Sequence, residues 1–241
     1  MPFPMVTIVV PVLNRVSDLP LTLDSIVALG GSVSLDCIVV DGGSSDGTLD
    51  VIKNHELNVR WVSRPDRGVY DAMNTGWSMA DPDSYVLFLG AGDRIISLPR
   101  ILTNPPVGEV VCGEVDMGRN RRFMPKTDWR LKIYNSLHHQ ALLVPKSIHP
   151  VPPFDLRFSR YADFDFNQRL LKMGTHFCIV PGFKAEARPG GISDLPDFGE
   201  SLRVIYKNYG CFWCLIAMSG FIAVAILPFL RRFTSLERTV C

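Results

Sequence analysis

The sequence predicts an α/β fold with a mostly parallel sheet, followed by an apolar tail. Short β-branched runs alternate with segments whose apolar residues recur at helical spacing, which is typical of alternating strands and helices. Three of the runs end at or near an acidic or amide residue. Ligands of open α/β sheets bind outside the carboxyl ends of the strands, so these polar ends predict a binding site.

The stretch Cys37–Thr48, CIVVDGGSSDGT, is the centre of this prediction. Its apolar run predicts a strand buried on both faces, with Asp41 at the carboxyl end. Gly43 allows a ligand to approach the backbone closely. Ser44 and Asp46 are suited to capping the next helix. The alternative interpretation is an ordinary capped turn between a strand and a helix.

Similar reasoning places the other elements along the chain. The predicted strands are short apolar runs at 7–12, 37–40, 59–62, 85–89, 141–144 and 179–183. The predicted helices cover 18–29, 48–55, a segment ending near 79, and a segment running from about 160 through 171. The proline-rich and then basic stretch at 98–130 has two interpretations: a solvated hairpin, or a contact with diphosphate groups or anionic lipid.

Composition excludes several classes of protein. The chain has 241 residues, 25 Lys and Arg against 24 Asp and Glu, and a formal net charge of +1, so no overall field attracts nucleic acid. Its six cysteines lack the spacing of a disulfide framework or a zinc ribbon. The first residues lack the basic region of a secretory signal, so a reducing cytoplasm is the expected compartment.

Seven segments together resemble one known family. In order from Thr7 to Ser193 they are TIVVPVLN, IVVDGGSSDGT, PDRGVYDAMNTG, FLGAGD, HHQALLVPKS, YADFDFNQRL and PGGIS. These segments resemble the family 2 glycosyltransferases, particularly the bacterial polysaccharide enzymes of the colanic-acid type. The resemblance implies the GT-A fold, a Rossmann-like mixed and mostly parallel sheet flanked by helices.

The resemblance also implies a site for a nucleotide-sugar donor, with a UDP-sugar as the commonest choice. The residues it places there are Pro11, Asn14, Asp41, Gly43, Ser44, Asp66, Tyr70, Asp71, Asn74, Asp93 and His139. A capped helix start at Asp66 and a structural His139 are the alternatives. Because side chains alternate along a strand, only one of the adjacent His138 and His139 is expected to face the site.

Asp93 is the expected metal ligand. A carboxylate that follows a strand, with glycines giving room, suits Mn²⁺ or Mg²⁺ bridging the two phosphates of a nucleotide sugar. The fuller family pattern carries acids at several of these positions, whereas here the segment Gly90–Asp93 keeps one.

Asp163 is the expected catalytic residue. In the resembling family the matching acid takes the proton from the acceptor hydroxyl, and the reaction inverts the anomeric carbon. Asp165 matches a second acid of the pattern and is the reserve candidate. The alternative for Asp163 is a carboxylate that stabilises the N-terminus of a helix. The loop 188–193 is expected to close over the donor and exclude water.

The segment 211–230 is apolar and without charge, and as a helix it would be about 30 Å long. Its flanking charges do not fix an orientation, so a single span and a monotopic insertion are equally expected, with a buried soluble helix as the third possibility. These features divide the chain into a transferase domain, 1–200, and a membrane-associating tail, 201–241. The expected location is the cytoplasmic face of the bacterial inner membrane.

The sequence therefore predicts a metal-assisted, inverting glycosyltransferase that acts on a lipid-linked or polysaccharide acceptor at the membrane. Two alternatives remain open. One is a nucleotidyltransferase that makes sugar nucleotides, although the expected glycine-rich basic loop after strand one is replaced by Val12-Leu13-Asn14-Arg15. The other is a non-catalytic, membrane-anchored partner with a decayed transferase fold.

Overall fold

A computed structural model describes residues 5–30, 34–99, 108–188 and 197–221. Its strands are β1 (Val6–Val12), β2 (Leu35–Asp41), β3 (Arg60–Ser63), β4 (Tyr85–Phe88), β5 (Arg94–Ser97), β6 (Val110–Asp116), β7 (Arg122–Phe123), β8 (Leu142–Pro145) and β9 (Phe177–Glu186). Its α-helices are α1 (Leu19–Val27), α2 (Thr48–Asn54), α3 (Val69–Met79), α4 (Ala162–Lys172), α5 (Phe198–Tyr209) and α6 (211–221).

Within the described residues, nine strands form one mixed sheet. The order is β3-β2-β1-β4-β8-β6-β9-β5, and β7 pairs with β6. The pairs β1–β2, β2–β3 and β1–β4 are parallel, whereas β8 runs antiparallel to both β4 and β6. The predicted mixed and mostly parallel α/β architecture is therefore confirmed in its broad form, and it is consistent with a GT-A fold.

The buried strand β2 shows why the sheet carries helices on both faces. Ile38 and Val40 pack into one apolar cluster with residues of α3, α4 and α5, while Cys37 and Val39 pack into another with α1 and α2. Alternate side chains of a strand point to opposite faces, so an uninterrupted apolar run can only be buried between two layers. Gly76 lets α3 approach β1, since a Cβ there would lie 2.3 Å from Val9 Cγ1.

The stretch at 98–130 differs from its first interpretation. Its residues Val110, Val111 and Cys112 are fully buried in β6, which lies between β8 and β9 in the sheet. Among the residues of this stretch that the structure describes, 98–99 and 108–130, solvated hairpin structure is limited to the turn that joins β6 to β7, where Arg119 and Arg121 are exposed. Because proline-rich and charged segments flank this β-branched run, no strand was predicted there from the sequence.

The C-terminal elements cross the expected domain boundary. Residue 200 lies inside α5, and Val204 and Ile205 of that helix are fully buried against α4 and its neighbours. Ala217 of α6 is also buried, whereas Phe212, Leu215 and Met218 are exposed. No helix within the described ranges is both long and apolar enough to cross a bilayer. The remainder of the predicted apolar segment, 222–230, lies outside the described residues.

Candidate active site

A cleft of about 430 Å³ opens at the carboxyl ends of β1 and β4. The chain runs outward from β1 through β2 to β3 on one side, and β4 pairs on the other side. This is the switch point at which open α/β sheets form a crevice for ligands. The polar and charged side chains of its lining belong to Arg15, Asp18, Asp66, Tyr70, Asp93, His138, His139, Gln140, Ser159 and Arg188.

Five of the predicted site residues line this cleft. They are Pro11, Asp66, Tyr70, Asp93 and His139. The structure thus brings together a residue of β1, residues that follow β3 and β4, and one that precedes β8. The other predicted residues lie beside or behind the cleft, and their partners explain why.

Asp41 is fully buried and organises the turn after β2. It accepts hydrogen bonds from the hydroxyls of Ser44 and Ser63 and from the backbone N–H groups of Gly43 and Ser44. Burial raises the pKa of Asp41, but the hydroxyl and backbone donors outweigh it and hold the pKa below the ordinary value. Asp41 is therefore ionised and stabilises the turn, and it has no direct access to a ligand in the cleft.

Asn14 ties the first turn to the second. Its backbone N–H donates to Ser44 Oγ at 2.8 Å, and its side-chain oxygen accepts from the N–H of Ser45 at 2.9 Å. The residue adopts a positive φ of 51°, which asparagine tolerates better than most residues. Asn14 and Ser44 thus hold the two loops that border the cleft.

Asp66 reaches the cleft because residue 42 is a glycine. A Cβ at Gly42 would lie 2.7 Å from Asp66 Oδ2, so only glycine leaves space for this carboxylate. The other oxygen, Oδ1, accepts from the N–H of Gly68 at 2.8 Å and fixes the side chain. The result is a carboxylate with one oxygen held by the backbone, lying directly over the turn after β2.

Asp93 is held by three N–H donors from separate parts of the chain. Its Oδ2 accepts from Gly90 N at 3.1 Å and from Gln140 Nε2 at 2.9 Å, and its Oδ1 accepts from Arg188 N at 2.8 Å. A carboxylate has about four lone-pair positions, so one remains available. Asp93 is rigid, mostly buried and still able to accept one further partner.

Two arginines enter the cleft beside a buried acid. Arg188, which follows β9, pairs with Asp18, and Arg15 lies 3.4 Å from the same carboxylate. Both guanidinium groups are about half exposed, so they are accessible to an anion in the cleft. The expected covering loop continues at 189–193, outside the described residues.

Asp163 lies behind His139. Its Oδ1 accepts from Tyr70 Oη at 3.2 Å and from the N–H of Phe164 at 2.8 Å, while its Oδ2 accepts from Asn135 Nδ2 at 2.9 Å. Its Oδ2 also lies 3.6 Å from His139 Nδ1. Burial raises the pKa of Asp163, yet the proximity and charge of His139 outweigh burial, and the net shift is downward.

Asp165, the reserve catalytic candidate, joins α4 to α5. It is fully buried and accepts from Arg169 Nε at 2.8 Å, Lys207 Nζ at 2.7 Å and Asn208 Nδ2 at 2.9 Å. These partners occupy both oxygens, and Asp165 does not contribute to the cleft lining. The structure corrects the reserve prediction, because it gives this acid a structural environment.

The side chains of Asp71 and Asn74 also form hydrogen bonds outside the cleft. Asp71 accepts from the backbone and guanidinium of Arg67 at the start of α3. Asn74 forms a reciprocal pair with the backbone of Phe154, at 2.8 and 2.9 Å. Both side chains shape the wall of the cleft through α3 and do not line it, contrary to the sequence-based expectation.

Six polar or charged lining residues were absent from the predicted site: Arg15, Asp18, His138, Gln140, Ser159 and Arg188. His138 was expected to face away, on the assumption that it begins a strand. Residues His139–Ala141 instead form a 3₁₀ turn before β8, and the two imidazole rings lie side by side with centroids 5.4 Å apart. The segment HHQ carried the only local signal for these positions, since pairing of Asp18 with Arg188 spans 170 residues.

Comparison with known proteins fits this arrangement. The profile of the family described as "Glycosyl transferase family 2" matches residues 7–96. Over 179 residues the chain is 36% identical to the "PGL/p-HBAD biosynthesis glycosyltransferase" of Mycobacterium bovis and to its Mycobacterium tuberculosis counterpart, covering 69% of this chain and 69% of each relative. The chain belongs to glycosyltransferase family 2. The colanic-acid subtype is not specifically supported by these relatives.

Solved structures share the fold of this family 2 glycosyltransferase. S. aureus TarS 1-349 in complex with UDP-GlcNAc superposes with a TM-score of 0.63 at 16% identity, covering 84% of this chain and 66% of that one. The mannosyltransferase PcManGT from Pyrobaculum calidifontis, in complex with GDP-Man and Mn²⁺, superposes with a TM-score of 0.58 at 16% identity. This match covers 96% of this chain and 79% of that one. The chain spans 39% of a longer TarS chain.

The donor atoms of the cleft fit a cation that is held largely by the substrate. Among the described residues, no group of three or more His, Cys, Asp or Glu side chains forms a metal cage. Mg²⁺, however, is commonly bound by one or two carboxylates, several waters and substrate phosphates. Asp93, with its one open lone-pair position, fits that mode of binding.

Proposed function

We propose that this family 2 glycosyltransferase transfers a sugar from a nucleotide-sugar donor, a UDP-sugar in the first instance, to a hydroxyl group of a surface glycan. The observation that carries the proposal is the cleft at the β1–β4 switch point, whose lining includes Asp66, Asp93, two arginines and His139, with Asp163 beside His139. The UDP-GlcNAc and UDP complexes of TarS, which has the same fold, support a nucleotide-sugar ligand.

The charged and titratable groups of the cleft suit the steps of such a reaction. Arg15 and Arg188 provide positive charge for the diphosphate, and arginine matches phosphate geometry well. Asp93 would hold Mn²⁺ or Mg²⁺, which supplies further charge neutralisation for the leaving diphosphate. His139 and Asp163 provide the proton-accepting end. Attack on the face opposite the leaving group inverts the anomeric carbon.

The acceptor is proposed to be lipid-linked or part of a polysaccharide, and the site of action to be the cytoplasmic face of the bacterial inner membrane. Exposed apolar side chains on one side of α6, Phe212, Leu215 and Met218, support an interfacial contact. Arg203 of α5 is exposed close by in the chain and adds positive charge suited to anionic lipid.

The deciding experiment is a binding and turnover panel. Isothermal titration of UDP, GDP, dTDP and CDP, with Mn²⁺ or Mg²⁺ and again with chelator, identifies the donor class. Release of nucleoside diphosphate from UDP-GlcNAc, UDP-glucose and GDP-mannose then measures donor cleavage. Binding without any turnover would favour a non-catalytic partner, whereas formation of nucleotide sugar from sugar phosphate and nucleoside triphosphate would favour a nucleotidyltransferase.

A further inference from the structure

The stretch 117–132 has a local charge that the chain as a whole does not have. It contains six Lys and Arg residues and one Asp, whereas the formal net charge of the whole protein is +1. It forms the turn from β6 to β7, strand β7 itself and the segment as far as the 3₁₀ turn Trp129–Lys132. Met117 lines the cleft, whereas none of the six basic side chains, all in the described part of the chain, belongs to its lining. We call this stretch the basic segment.

Three cations of the basic segment lack a counter-charge within the protein. Arg119, Arg121 and Lys126 are exposed, and none of them forms an ion pair with an acid of the described ranges. Most arginines of the same ranges do pair with an acid, as Arg60 does with Asp36. Like charges so close together in the chain repel one another, so their grouping favours an anionic partner outside the protein.

The tip of the hairpin between β6 and β7 holds Arg119 in an uncommon backbone conformation. Its φ is 51°, between Gly118 at 69° and Asn120 at 60°. Glycine or asparagine adopts such a φ more readily than arginine does, so the turn itself does not explain the arginine. The N–H of Met117 donates to the carbonyl of Arg121 at 2.8 Å and closes the turn. The hairpin therefore presents its two arginines from a fixed tip.

The basic segment adjoins the cleft at two places. Met117 lines the cleft directly. The ring of Phe123 in β7 packs edge-on against His138, another lining residue, with centroids 5.3 Å apart. His138 lies beside His139, whose Nδ1 is 3.6 Å from Asp163, the expected proton acceptor. The hairpin is thus attached to the wall of the cleft that carries the expected catalytic carboxylate.

The basic segment also continues into α6. Lys132 Nζ lies 4.6 Å from the ring centroid of Trp213 in that helix. Between the cations, Met124 and Trp129 are 55% and 54% exposed. Exposed tryptophan and apolar side chains interleaved with Lys and Arg are typical of segments that lie among lipid headgroups. The surface formed by the basic segment and α6 therefore has both the charge and the apolar groups that an anionic membrane attracts.

We propose that the basic segment binds the anionic headgroups of a membrane and, together with α6, holds the mouth of the cleft against the lipid surface. This inference rests on the proposed function, in which the acceptor is lipid-linked. One weak apolar anchor gives marginal, reversible binding, and a polybasic patch supplies the second signal. Arginine suits the phosphate groups of such lipids. A lipid-linked acceptor then enters the cleft beside Met117 and His138 without leaving the headgroup region.

The test measures the partition of the full chain onto vesicles of phosphatidylcholine, with and without phosphatidylglycerol. Wild type should bind the mixed vesicles more tightly, and raising the salt from about 0.1 M to about 1 M should remove most of that difference. Arg119→Gln combined with Arg121→Gln should lower partition onto mixed vesicles about 30-fold, since each basic residue near an anionic surface contributes about fivefold. Partition onto phosphatidylcholine alone should not change. Equal binding of the double variant and wild type to mixed vesicles would overturn the proposal.

Arg122 provides a matched control in the next position of the chain. It lies in a recess shared with the acids Glu114, Asp116 and Glu186, which offset its charge. Arg121→Gln alone should lower partition onto mixed vesicles about fivefold, and Arg122→Gln less than about twofold. Equal losses in the two variants would show that net charge alone matters and would refute the assignment to the hairpin tip.

Tryptophan fluorescence gives an independent measurement of the same contact. Lipids with a nitroxide-labelled headgroup should quench the exposed Trp129 on vesicle binding. Trp129→Phe should therefore lose most of the quenching. Trp61→Phe should keep it, because the exposed Trp61 lies in β3, at the far edge of the sheet from β6 and β9. Undiminished quenching in Trp129→Phe would place the lipid contact elsewhere.

The failure of this proposal is distinguishable from failure of the proposed function. UDP affinity should be the same in wild type and in the Arg119 and Arg121 double variant, because neither side chain lines the cleft. A fall in UDP affinity with unchanged vesicle binding would assign the two arginines to the donor and contradict the proposal. A wild-type protein that cleaves no nucleotide sugar removes the proposed function, while the vesicle comparison still decides whether the basic segment binds lipid.

Discussion

Gly42 and Asp66 come from different loops and occupy one space: a Cβ on residue 42 would lie 2.7 Å from Asp66 Oδ2. Asp66 is a member of the cleft lining, and Gly42 is the residue directly after the buried Asp41. The position of an acid in the cleft thus depends on a glycine that itself offers no functional group.

This relationship predicts that Gly42→Ala weakens UDP binding about three- to tenfold, because the added methyl group displaces the Asp66 carboxylate. Asp66→Asn should weaken UDP binding to a similar extent. The double variant should weaken it little further, because both substitutions affect the same contact. Titration calorimetry measures all three. Gly220→Ala is the control, because a Cβ there meets nothing within 4 Å. Unchanged affinity in Gly42→Ala would show that Asp66 does not contact the nucleotide.

Asp93→Asn should abolish the enhancement of UDP binding by Mn²⁺. The substitution removes the negative charge and turns an N–H toward the donors from Gly90, Gln140 or Arg188, so we also expect a loss of about 1–3 kcal/mol in the free energy of unfolding. Calorimetry with Mn²⁺ and with chelator tests the first effect, and urea unfolding tests the second. Asp71→Asn, which alters a carboxylate outside the cleft, is the matched control. Undiminished metal dependence in Asp93→Asn would exclude this carboxylate as a ligand.

Asp165→Asn should lower the free energy of unfolding and leave the catalytic rate unchanged. It removes the fully buried carboxylate that pairs with the guanidinium of Arg169 and with the ammonium of Lys207, which keeps its second pair with Asp155. Breaking a buried pair costs about 3–5 kcal/mol. Urea unfolding should show this loss, while kcat per folded molecule stays within about twofold of wild type. Asp50→Asn, an exposed acid in α2, should change stability by less than about 0.5 kcal/mol. A large loss of kcat in folded Asp165→Asn would restore this acid as a catalytic candidate.

The stability of the protein should fall as the pH drops below neutral, because of His149. Burial lowers the pKa of His149 to about 4, and its ring lies among Trp77, Phe88 and Phe166. Between pH 6.5 and 4 the unfolded chain binds a proton that the native imidazole does not, so the loss reaches about 1 kcal/mol at pH 5.5. Urea unfolding at pH 7.5, 6.5 and 5.5 measures it. His149→Gln should reduce the dependence of the free energy of unfolding on pH. An unchanged dependence would assign the effect to other titratable groups.

The exposed side of α6 predicts binding to lipid. Phe212→Glu combined with Leu215→Glu should abolish cosedimentation with vesicles of phosphatidylcholine and phosphatidylglycerol, because two charges oppose interfacial burial. Met173→Glu, an exposed apolar residue at the end of α4, should bind as wild type does. Substitution is a cleaner test than truncation after Tyr209, since truncation removes the buried Ala217 as well. Sedimentation of the double variant with vesicles would place the lipid contact elsewhere.

Local sequence was sufficient to predict the elements that form the switch point. The runs that became β1, β2 and β4 are mostly apolar, and each is bounded by turn residues, so strand and loop could be separated without knowledge of their partners. Asp93 and His139 were identified through motifs of a resembling family, and both line the cleft. Strand β6 was missed because its neighbours in the sheet, β8 and β9, come from distant parts of the chain.

The sequence by itself determined the fold class, the family and the carboxyl-end position of the site, because these follow from periodicity, turn chemistry and short motifs. Tertiary structure alone decided which polar side chains enter the cleft. Asp41 accepts hydrogen bonds from Ser44 and Ser63 and does not enter the cleft. Asp165 pairs with Lys207, and Arg188 pairs with Asp18, which lies 170 residues away in the sequence. Burial and hydrogen bonding determine whether a carboxylate is available to a ligand, and both depend on partners that local sequence does not specify.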